Sequence, residues 1–457
     1  MSSSQRRAIR ADGLNESAMD TVPFDIYHEI LNSVDTIRRC GIVTESRGLL
    51  IESQGPQCSI GEICRIYFGN RRKVLAEVVG FRNDRLLLMP LGELGGIAPG
   101  MKVQATGSPF RVKVGHEMLG RVLDGFGEPI DNKGPMYLTE AFPLTGEKIN
   151  PLIRNRIREP LWTQIRSIDG VVTIGKGQRI GIFAGSGIGK SIALGMIARK
   201  VIADVNVIAL IGERGREVRE FLEKDLGEEG LARSVVVVVT SDHPAILKLQ
   251  GTRVAITIAE YFRSQGLDVV FMMDSITRVA MAQREVGLSA GEPPTTKGYT
   301  PSVFALMPSL LERAGASDKG TVTGIYTVLV EGDDTSEPVS DILRSILDGH
   351  IVLSRKLANH GHYPAVDILQ SISRVQNDVI DPKHRKMVTD LIDIYATYSD
   401  AEDLINIGAY VRGSNPKIDR ALNCIDHINA FLRQDMNEFT PPEETLAMME
   451  KMLGDVS

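Results

Sequence analysis

An eight-residue segment combines the residue types that bind polyphosphates. Residues 184–191 read Ala-Gly-Ser-Gly-Ile-Gly-Lys-Ser, between the apolar run Arg179–Phe183 and a helix-like stretch that begins at Ser191. Glycines let successive backbone N–H groups turn toward a phosphate, and the positive end of the following helix favours the same anion. We expect Lys190 to reach the β- and γ-phosphates and the Ser191 hydroxyl to ligate Mg²⁺. The predicted nucleotide-binding residues are Gly185, Ser186, Gly187, Ile188, Gly189, Lys190 and Ser191.

Two carboxylates follow apolar runs and are candidates for the remaining chemistry. The run Asp268–Asp274 ends in Asp274, which could direct a charge toward Mg²⁺ from a rigid strand end. The run Val205–Ile211 leads to Glu213, which could orient and polarise the attacking water as a catalytic base. Each residue could instead have a structural role. Asp274 could cap a helix, and Glu213 could lie in a surface turn, paired with neighbouring arginines.

Transfer of a phosphoryl group also needs positive charge on the transition-state oxygens. Arg374 is the candidate for an arginine supplied by a neighbouring subunit, although the pattern alone does not separate it from Arg355 or Arg344. Arg214, next to Glu213, is a further catalytic candidate. Tyr363 could stack on an adenine face.

The elements that must position these residues follow from the pattern of apolar runs. Residues 40–110 alternate short β-type runs with turn formers, which predicts a small β-barrel. Residues 111–378 alternate Val/Ile-rich runs with helical periodicity, which predicts an α/β domain with a parallel sheet covered on both faces. Residues 379–457 are helical by pattern. Before the barrel, residues 1–39 form an arm with a short amphipathic helix, Phe24–Ile37.

Composition limits the class of protein. The 457 residues are too many for one hydrophobic core, and the 43% hydrophobic and 24% charged residues are ordinary for a globular chain. No apolar run approaches the length of a membrane span, and the polar start does not resemble a secretory signal, so we expect a cytoplasmic protein. Cys40, Cys58, Cys64 and Cys424 lack the spacing of a zinc site, which favours free thiols. A net charge of −6 argues against general binding to nucleic acid.

Several long segments, in order, resemble one family. They resemble the type III secretion ATPases, and most closely the flagellar export ATPases, which are homologues of the catalytic subunits of rotary ATP synthases. The resemblance runs from about Gly41 into the C-terminal domain, and the Ala-Gly-Ser-Gly form of the phosphate loop, with Ala184 in place of glycine, is typical of the family. It is densest in the phosphate loop and in the segments 210–217, 273–275, 278–285, 291–299 and 309–315.

The resemblance implies a RecA-like P-loop ATPase core with an N-terminal β-barrel and a C-terminal α-helical domain, assembled as a homohexamer with ATP sites between subunits. It implies ATP and Mg²⁺ as ligands, with Glu213 activating water, Asp274 acting through Mg²⁺, Arg374 reaching across the interface and Tyr363 packing on adenine. The implied partners are a stator-like stalk protein at the N-terminus, a central stalk protein, and the export gate with its substrates and chaperones. Such an enzyme would associate peripherally with the inner membrane.

Other functions stay open at this point. The N-terminal helix could pack on its own protein instead of docking a partner. A hexameric RNA translocase would need an aromatic, basic barrel face, for which Tyr67, Phe68 and Arg71–Lys73 are the support. A rotary ATP synthase subunit would normally need a non-identical partner, whereas this chain carries both the candidate base and the candidate finger. The sequence favours the flagellum over a virulence injectisome from overall likeness only.

Overall fold

The computed structural model describes residues 39–454, apart from residues 69–71, 94, 147–151, 153 and 331–336. The N-terminal arm and the predicted docking helix Phe24–Ile37 lie outside the described residues, as does Arg71 of the basic barrel segment.

Six antiparallel strands form a closed barrel at the start of the described chain, in the order β1-β2-β5-β4-β3-β6. Alternate residues point inward, and Val43, Ile51, Ile66, Val78 and Leu88 fill a barrel core of their own. Because the barrel is closed, none of these strands is a sheet edge. The barrel strands are β1 (Cys40–Arg47), β2 (Leu50–Gln54), β3 (Glu62–Phe68), β4 (Arg72–Arg82), β5 (Arg85–Pro90) and β6 (Lys102–Pro109).

A large sheet follows, with β-strands in the order β19-β18-β12-β17-β15-β13-β14-β8 and with β16 paired to β17. All neighbours along that order are parallel except β18 and β19. Two small two-stranded sheets, β7-β9 and β10-β11, flank it. The strands after the barrel are β7 (Arg111–Val114), β8 (Arg121–Leu123), β9 (Glu140–Pro143), β10 (Pro160–Leu161), β11 (Ile174–Gly175), β12 (Arg179–Ala184), β13 (Val205–Ile211), β14 (Ser234–Val239), β15 (Asp268–Asp274), β16 (Gly315–Ala316), β17 (Thr321–Leu329), β18 (Gly349–Leu353) and β19 (Val366–Ser373).

Helices cover the large sheet on both faces. Along β13, Val207, Ala209 and Ile211 join one hydrophobic core, and Ile208 and Leu210 join the other. The helices are α1 (Arg166–Val171), α2 (Lys190–Lys200), α3 (Gly215–Glu220), α4 (Gly227–Ala232), α5 (Ala245–Ser264), α6 (Ile276–Ala290), α7 (Pro301–Leu311), α8 (Pro338–Ile346), α9 (Arg355–Asn359), α10 (Gln376–Val379), α11 (Pro382–Asn406), α12 (Pro416–Leu432) and α13 (Pro442–Gly454).

The last three helices pack on one another and on α1, and so form a C-terminal helical domain against the sheet domain. The predicted fold class, an α/β core with an N-terminal β-barrel and a C-terminal helical domain, is therefore confirmed. Among the described helices, none is long and apolar enough to cross a membrane.

Candidate active site

The phosphate-binding loop joins the carboxyl end of β12 to the N-terminus of α2. Gly187 and Gly189 have φ of 77° and 94°, in the left-handed region that glycine adopts without strain. Ser186 and Gly187 are exposed, whereas Ile188 is buried in the core and anchors the loop. The turn therefore presents backbone to solvent at a helix N-terminus, which is the arrangement that binds phosphate.

Strands β13 and β15 deliver the two candidate carboxylates to the same edge. They are parallel neighbours, with Leu210 opposite Asp274, and Glu213 follows two residues after β13 ends. The Lys190 Nζ atom lies 2.5 Å from Asp274 Oδ1 and 3.7 Å from Glu213 Oε1. The structure thus brings together three predicted residues that are distant in sequence.

A threonine that the sequence analysis missed completes the anchoring of Asp274. Thr327 lies on β17, next to β15, and its hydroxyl donates to Asp274 Oδ1 at 2.7 Å. Thr327 sits inside the apolar run of β17, so only the strand order, which the sequence does not show, reveals it. Its hydrogen bond, together with burial of Asp274, fixes one carboxylate oxygen beside Lys190.

Glu213 stands in an environment that favours its neutral form. Burial raises the pKa of its carboxyl to about 7, and the carboxylate of Asp274 adds to this, while the Lys190 ammonium acts in the opposite direction. Its Oε1 atom is buried and accepts no hydrogen bond from the residues that the structure describes. A buried carboxylate with an unused acceptor and a pKa near neutrality suits a group that takes a proton from water.

The residues present fit a nucleotide with Mg²⁺. The backbone turn and Lys190 offer donors to phosphate oxygens, and Asp274 and Ser191 offer the hard oxygen ligands that Mg²⁺ prefers. Ser191, in the first turn of α2, is only partly buried, so its hydroxyl can be reached from the site.

Tyr363 lies beside the phosphate loop. A Cβ atom added to Gly189 would stand 3.5 Å from Tyr363 Cε1, so the ring packs against the residue that precedes Lys190. The residue remains 44% exposed, which leaves part of the ring open to a planar base.

The structure separates the three arginines that the sequence left equivalent. Arg355, in α9, donates from Nη2 to the Ser186 carbonyl at 3.3 Å, at the phosphate-loop edge. Arg374 follows β19, and its backbone N–H donates to the Asp348 carbonyl at the edge where β12 begins. Arg344 is adjacent there, because its carbonyl accepts from Arg374 Nη2 at 3.1 Å.

Arg374 cannot therefore serve the phosphate loop of its own chain from this position. The strand β12 has six residues and separates the two edges by roughly 17 Å at 3.3 Å per residue. Arg214, by contrast, lies next to Glu213 with its side chain 81% exposed and its Nη1 3.6 Å from Glu217 Oε1. A second residue that the sequence analysis missed, the exposed Arg278 of α6, packs against Gly212 on the same side of the site.

Three family models match separate parts of the chain. Residues 164–373 match the nucleotide-binding domain of the ATP synthase alpha/beta family, and residues 43–107 match the β-barrel domain of the same family. Residues 380–451 match the C-terminal domain of the type III secretion ATPase EscN.

Individual relatives match over nearly their full length. The flagellum-specific ATP synthase of Bacillus subtilis is 54% identical, over 93% of this chain and 98% of the relative. The type 3 secretion system ATPase of Sinorhizobium fredii is 46% identical, over 92% of this chain and 93% of the relative. The assembled ATPase EscN of enteropathogenic E. coli superimposes with a TM-score of 0.86 at 43% identity, over 91% of this chain and all of EscN. The chain belongs to the family of ATPases formed by the flagellum-specific ATP synthases and the type 3 secretion system ATPases.

Proposed function

We propose that this chain hydrolyses ATP to ADP and phosphate, and that hydrolysis drives the type III export of flagellar components. The observation that carries the proposal is the cluster of Lys190, Asp274 and Glu213 at the strand edge that faces the phosphate loop. The 54% identity to a flagellum-specific ATP synthase supports the flagellar assignment.

In this mechanism the residues of the chain have separate tasks. Lys190 leaves Asp274 for the β- and γ-phosphates, and the backbone of residues 185–189 orients them. Glu213 accepts a proton from the attacking water through its carboxylate, and Arg214, the next residue, would supply positive charge to the phosphate. Asp274 and Ser191 would hold Mg²⁺, which supplies charge neutralisation on the phosphate oxygens.

The ATP site is completed, in our proposal, by a second copy of the chain. Arg374 lies at the opposite end of the sheet strands from its own phosphate loop, and this supports a role of its guanidinium in the site of a neighbouring subunit. EscN, the solved relative, is described as assembled and also in complex with its central stalk EscO. Tyr363 would pack on the adenine, because its ring lies at the phosphate loop and is partly exposed.

The wider assignments follow from the same family. We infer peripheral association with the cytoplasmic face of the inner membrane, with an export gate, export substrates, chaperones and a central stalk protein as partners. We retain the division into residues 1–39, 40–110, 111–378 and 379–457, with the first segment docking a stator-like stalk protein. The second candidate is export by a virulence injectisome, which the 46% identity to a type 3 secretion system ATPase favours.

Replacement of Glu213 by glutamine tests the catalytic assignment. Glu213→Gln keeps the shape of the side chain and removes its basicity, so we expect the rate of phosphate release to fall by at least about 100-fold while ATP still binds. Lys190→Ala is the matched variant, and it should weaken ATP binding because the charge that pairs with the phosphates is lost. Turnover of Glu213→Gln within a few fold of the wild type would remove Glu213 from the mechanism.

A further inference from the structure

One side chain of the sheet domain holds the connection between the last two helices. Arg166, the first residue of α1, is 4% exposed and lies against the α12–α13 connection, residues 433–441. Its Nε donates to the Phe431 carbonyl at 2.8 Å and its Nη1 to Thr440 Oγ1 at 3.0 Å. The same guanidinium also bonds Glu438 and the Arg433 carbonyl. Arg166, from the sheet domain, thus donates hydrogen bonds to carbonyl groups at the C-terminal end of α12.

Gln434 connects this contact to Tyr363, the residue proposed to pack on the adenine. Its backbone N–H donates to the Tyr363 carbonyl at 2.8 Å, and its Oε1 accepts the backbone N–H of Arg166 at 2.8 Å. Its Nε2 donates to the carbonyls of Gln164 and Glu438 at 2.9 Å and 2.8 Å. At 4% exposure every polar group of this side chain has a partner, so the orientation of its backbone N–H is fixed.

The contacts form a continuous path from the phosphate loop to the C-terminal domain. Gly189 packs on the Tyr363 ring, the Tyr363 carbonyl accepts from Gln434, and Gln434 bonds Arg166 at the end of α12. Every step after Tyr363 is a hydrogen bond, and the path crosses from one domain to the other. A ligand that displaces the Tyr363 ring would therefore also displace the α12–α13 connection, residues 433–441, which is hydrogen-bonded to Tyr363 and to Arg166.

We propose that Gln434 and Arg166 are positioning residues that couple binding of the nucleotide base at Tyr363 to the C-terminal helical domain. The inference rests on the proposed function, because it takes Tyr363 as the residue that packs on the base. Coupling between two sites is reciprocal, so a change in the α12–α13 connection alters affinity for the base portion of the ligand. Affinity for the phosphate portion depends on Lys190 and the loop backbone, and it stays unchanged.

Two ligands that differ in the base test this coupling. Magnesium ATP and magnesium tripolyphosphate share the phosphates, but only ATP carries adenine. We expect Gln434→Ala to weaken ATP binding about three- to tenfold, the loss associated with one well-placed hydrogen bond, and to leave tripolyphosphate binding unchanged in calorimetry. Lys383→Met is the control, since it removes an exposed ion pair with Glu450 inside the same domain and should alter neither affinity.

Hydrogen exchange gives a readout that does not depend on turnover. In the wild type we expect ATP, and not tripolyphosphate, to slow amide exchange in residues 431–440, and we expect Gln434→Ala to abolish that difference. Arg166→Lys keeps the positive charge and the backbone N–H to Gln434, so it should lose only part of the ATP-specific protection.

Several results would overturn the coupling. Equal loss of affinity for both ligands in a folded Gln434→Ala protein would indicate general damage to the site. Unchanged ATP affinity in that variant would show that the path carries no base contact. A wild-type protein that binds both ligands equally would also refute the coupling, whereas a wild-type protein that binds neither would refute the proposed function itself.

Discussion

In the proposed mechanism, Glu213 can act as a base only when its carboxyl group is ionised. Burial raises its pKa to about 7, so it is protonated below that pH and ionised above it. We expect kcat/KM for ATP to rise with pH through about 7 and then level off, because only the ionised form accepts a proton. A steady-state profile between pH 5.5 and 8.5 measures this.

A neighbouring carboxylate supplies the matched variant for that profile. Glu217 raises the pKa of Glu213, so Glu217→Gln should move the rising limb to lower pH. Ionisation of ATP itself is the same for both proteins, so the difference between the two profiles reports the protein group. Superimposable profiles would show that another ionisation limits the rate.

For single residues, the sequence predicts the charged cluster of the candidate site better than the neighbouring residues that position it. Lys190, Asp274 and Glu213 could be predicted because each follows an apolar strand, and parallel strands end at a common edge. Thr327 could not be predicted, because it is a single polar residue within a buried strand. It contacts Asp274 only because β17 lies next to β15 in the sheet. The position of Arg374 relative to Arg355 likewise depends on the direction of β19, which the pattern does not give.

Among the elements, α5 is fastened to the segment after α7 by a buried ion pair. Arg313 donates to Glu260 through Nε at 2.9 Å and Nη2 at 2.5 Å, and to Thr257 Oγ1 at 2.8 Å. Arg313 belongs to one of the segments that carry the family resemblance, and here its contacts are structural.

Removal of Arg313 should destabilise the protein. Arg313→Leu leaves the Glu260 carboxylate buried without its main partner, and we expect a loss of about 3–5 kcal/mol in the free energy of unfolding. Urea unfolding followed by circular dichroism measures the change. Lys356→Ala breaks an exposed pair with Glu402 and should cost at most about 1 kcal/mol. Equal shifts in the two variants would contradict a special role for the buried pair.

The elements that the sequence predicted are the ones buried on both faces. The strands β12, β13, β14, β15 and β17 are the contiguous centre of the large sheet. The sequence predicts them from the apolar runs Arg179–Phe183, Val205–Ile211, Ser234–Thr240, Asp268–Asp274 and Thr321–Val330. The sequence does not predict the outer strands β8, β18 and β19, because β8 has three residues and the buried residues of β18 and β19 are interrupted by partly or fully exposed ones. In the barrel, the sequence predicts one continuous β-type run over Gly41–Ile51, and this prediction is wrong. The segment is two strands, because Gly48 with φ of 58° turns the chain between them.

For the whole molecule, the opposite placement of Arg374 and Lys190 predicts complementation between subunits. In an equal, random mixture of Arg374→Ala and Lys190→Ala chains, about a quarter of the interfaces combine an intact loop with an intact finger. We expect such mixtures to regain ATPase activity that neither parent shows. Verified mixed assemblies as inactive as the parents would place the action of Arg374 within its own subunit.

The N-terminal segment gives a second prediction at this scale. The stripe Tyr27, Ile30, Leu31 and Val34 is the predicted contact with a stalk-type partner. Ile30→Asp combined with Val34→Asp would bury charge in that contact, so co-purification with the partner should be lost while basal ATPase activity persists. Loss of basal activity with the partner retained would instead place the helix in the core of the protein.

The ion pair between Lys190 and Asp274 has a consequence for the charge of the ligands that the site would bind. With Asp274 Oδ1 at 2.5 Å, the positive charge of Lys190 is balanced by a carboxylate of the same chain. A bare anion that takes the lysine leaves the aspartate without a counterion. A triphosphate that brings its own divalent cation satisfies both partners in one exchange. We therefore expect this ion pair to favour a nucleotide that carries a divalent cation over free phosphate.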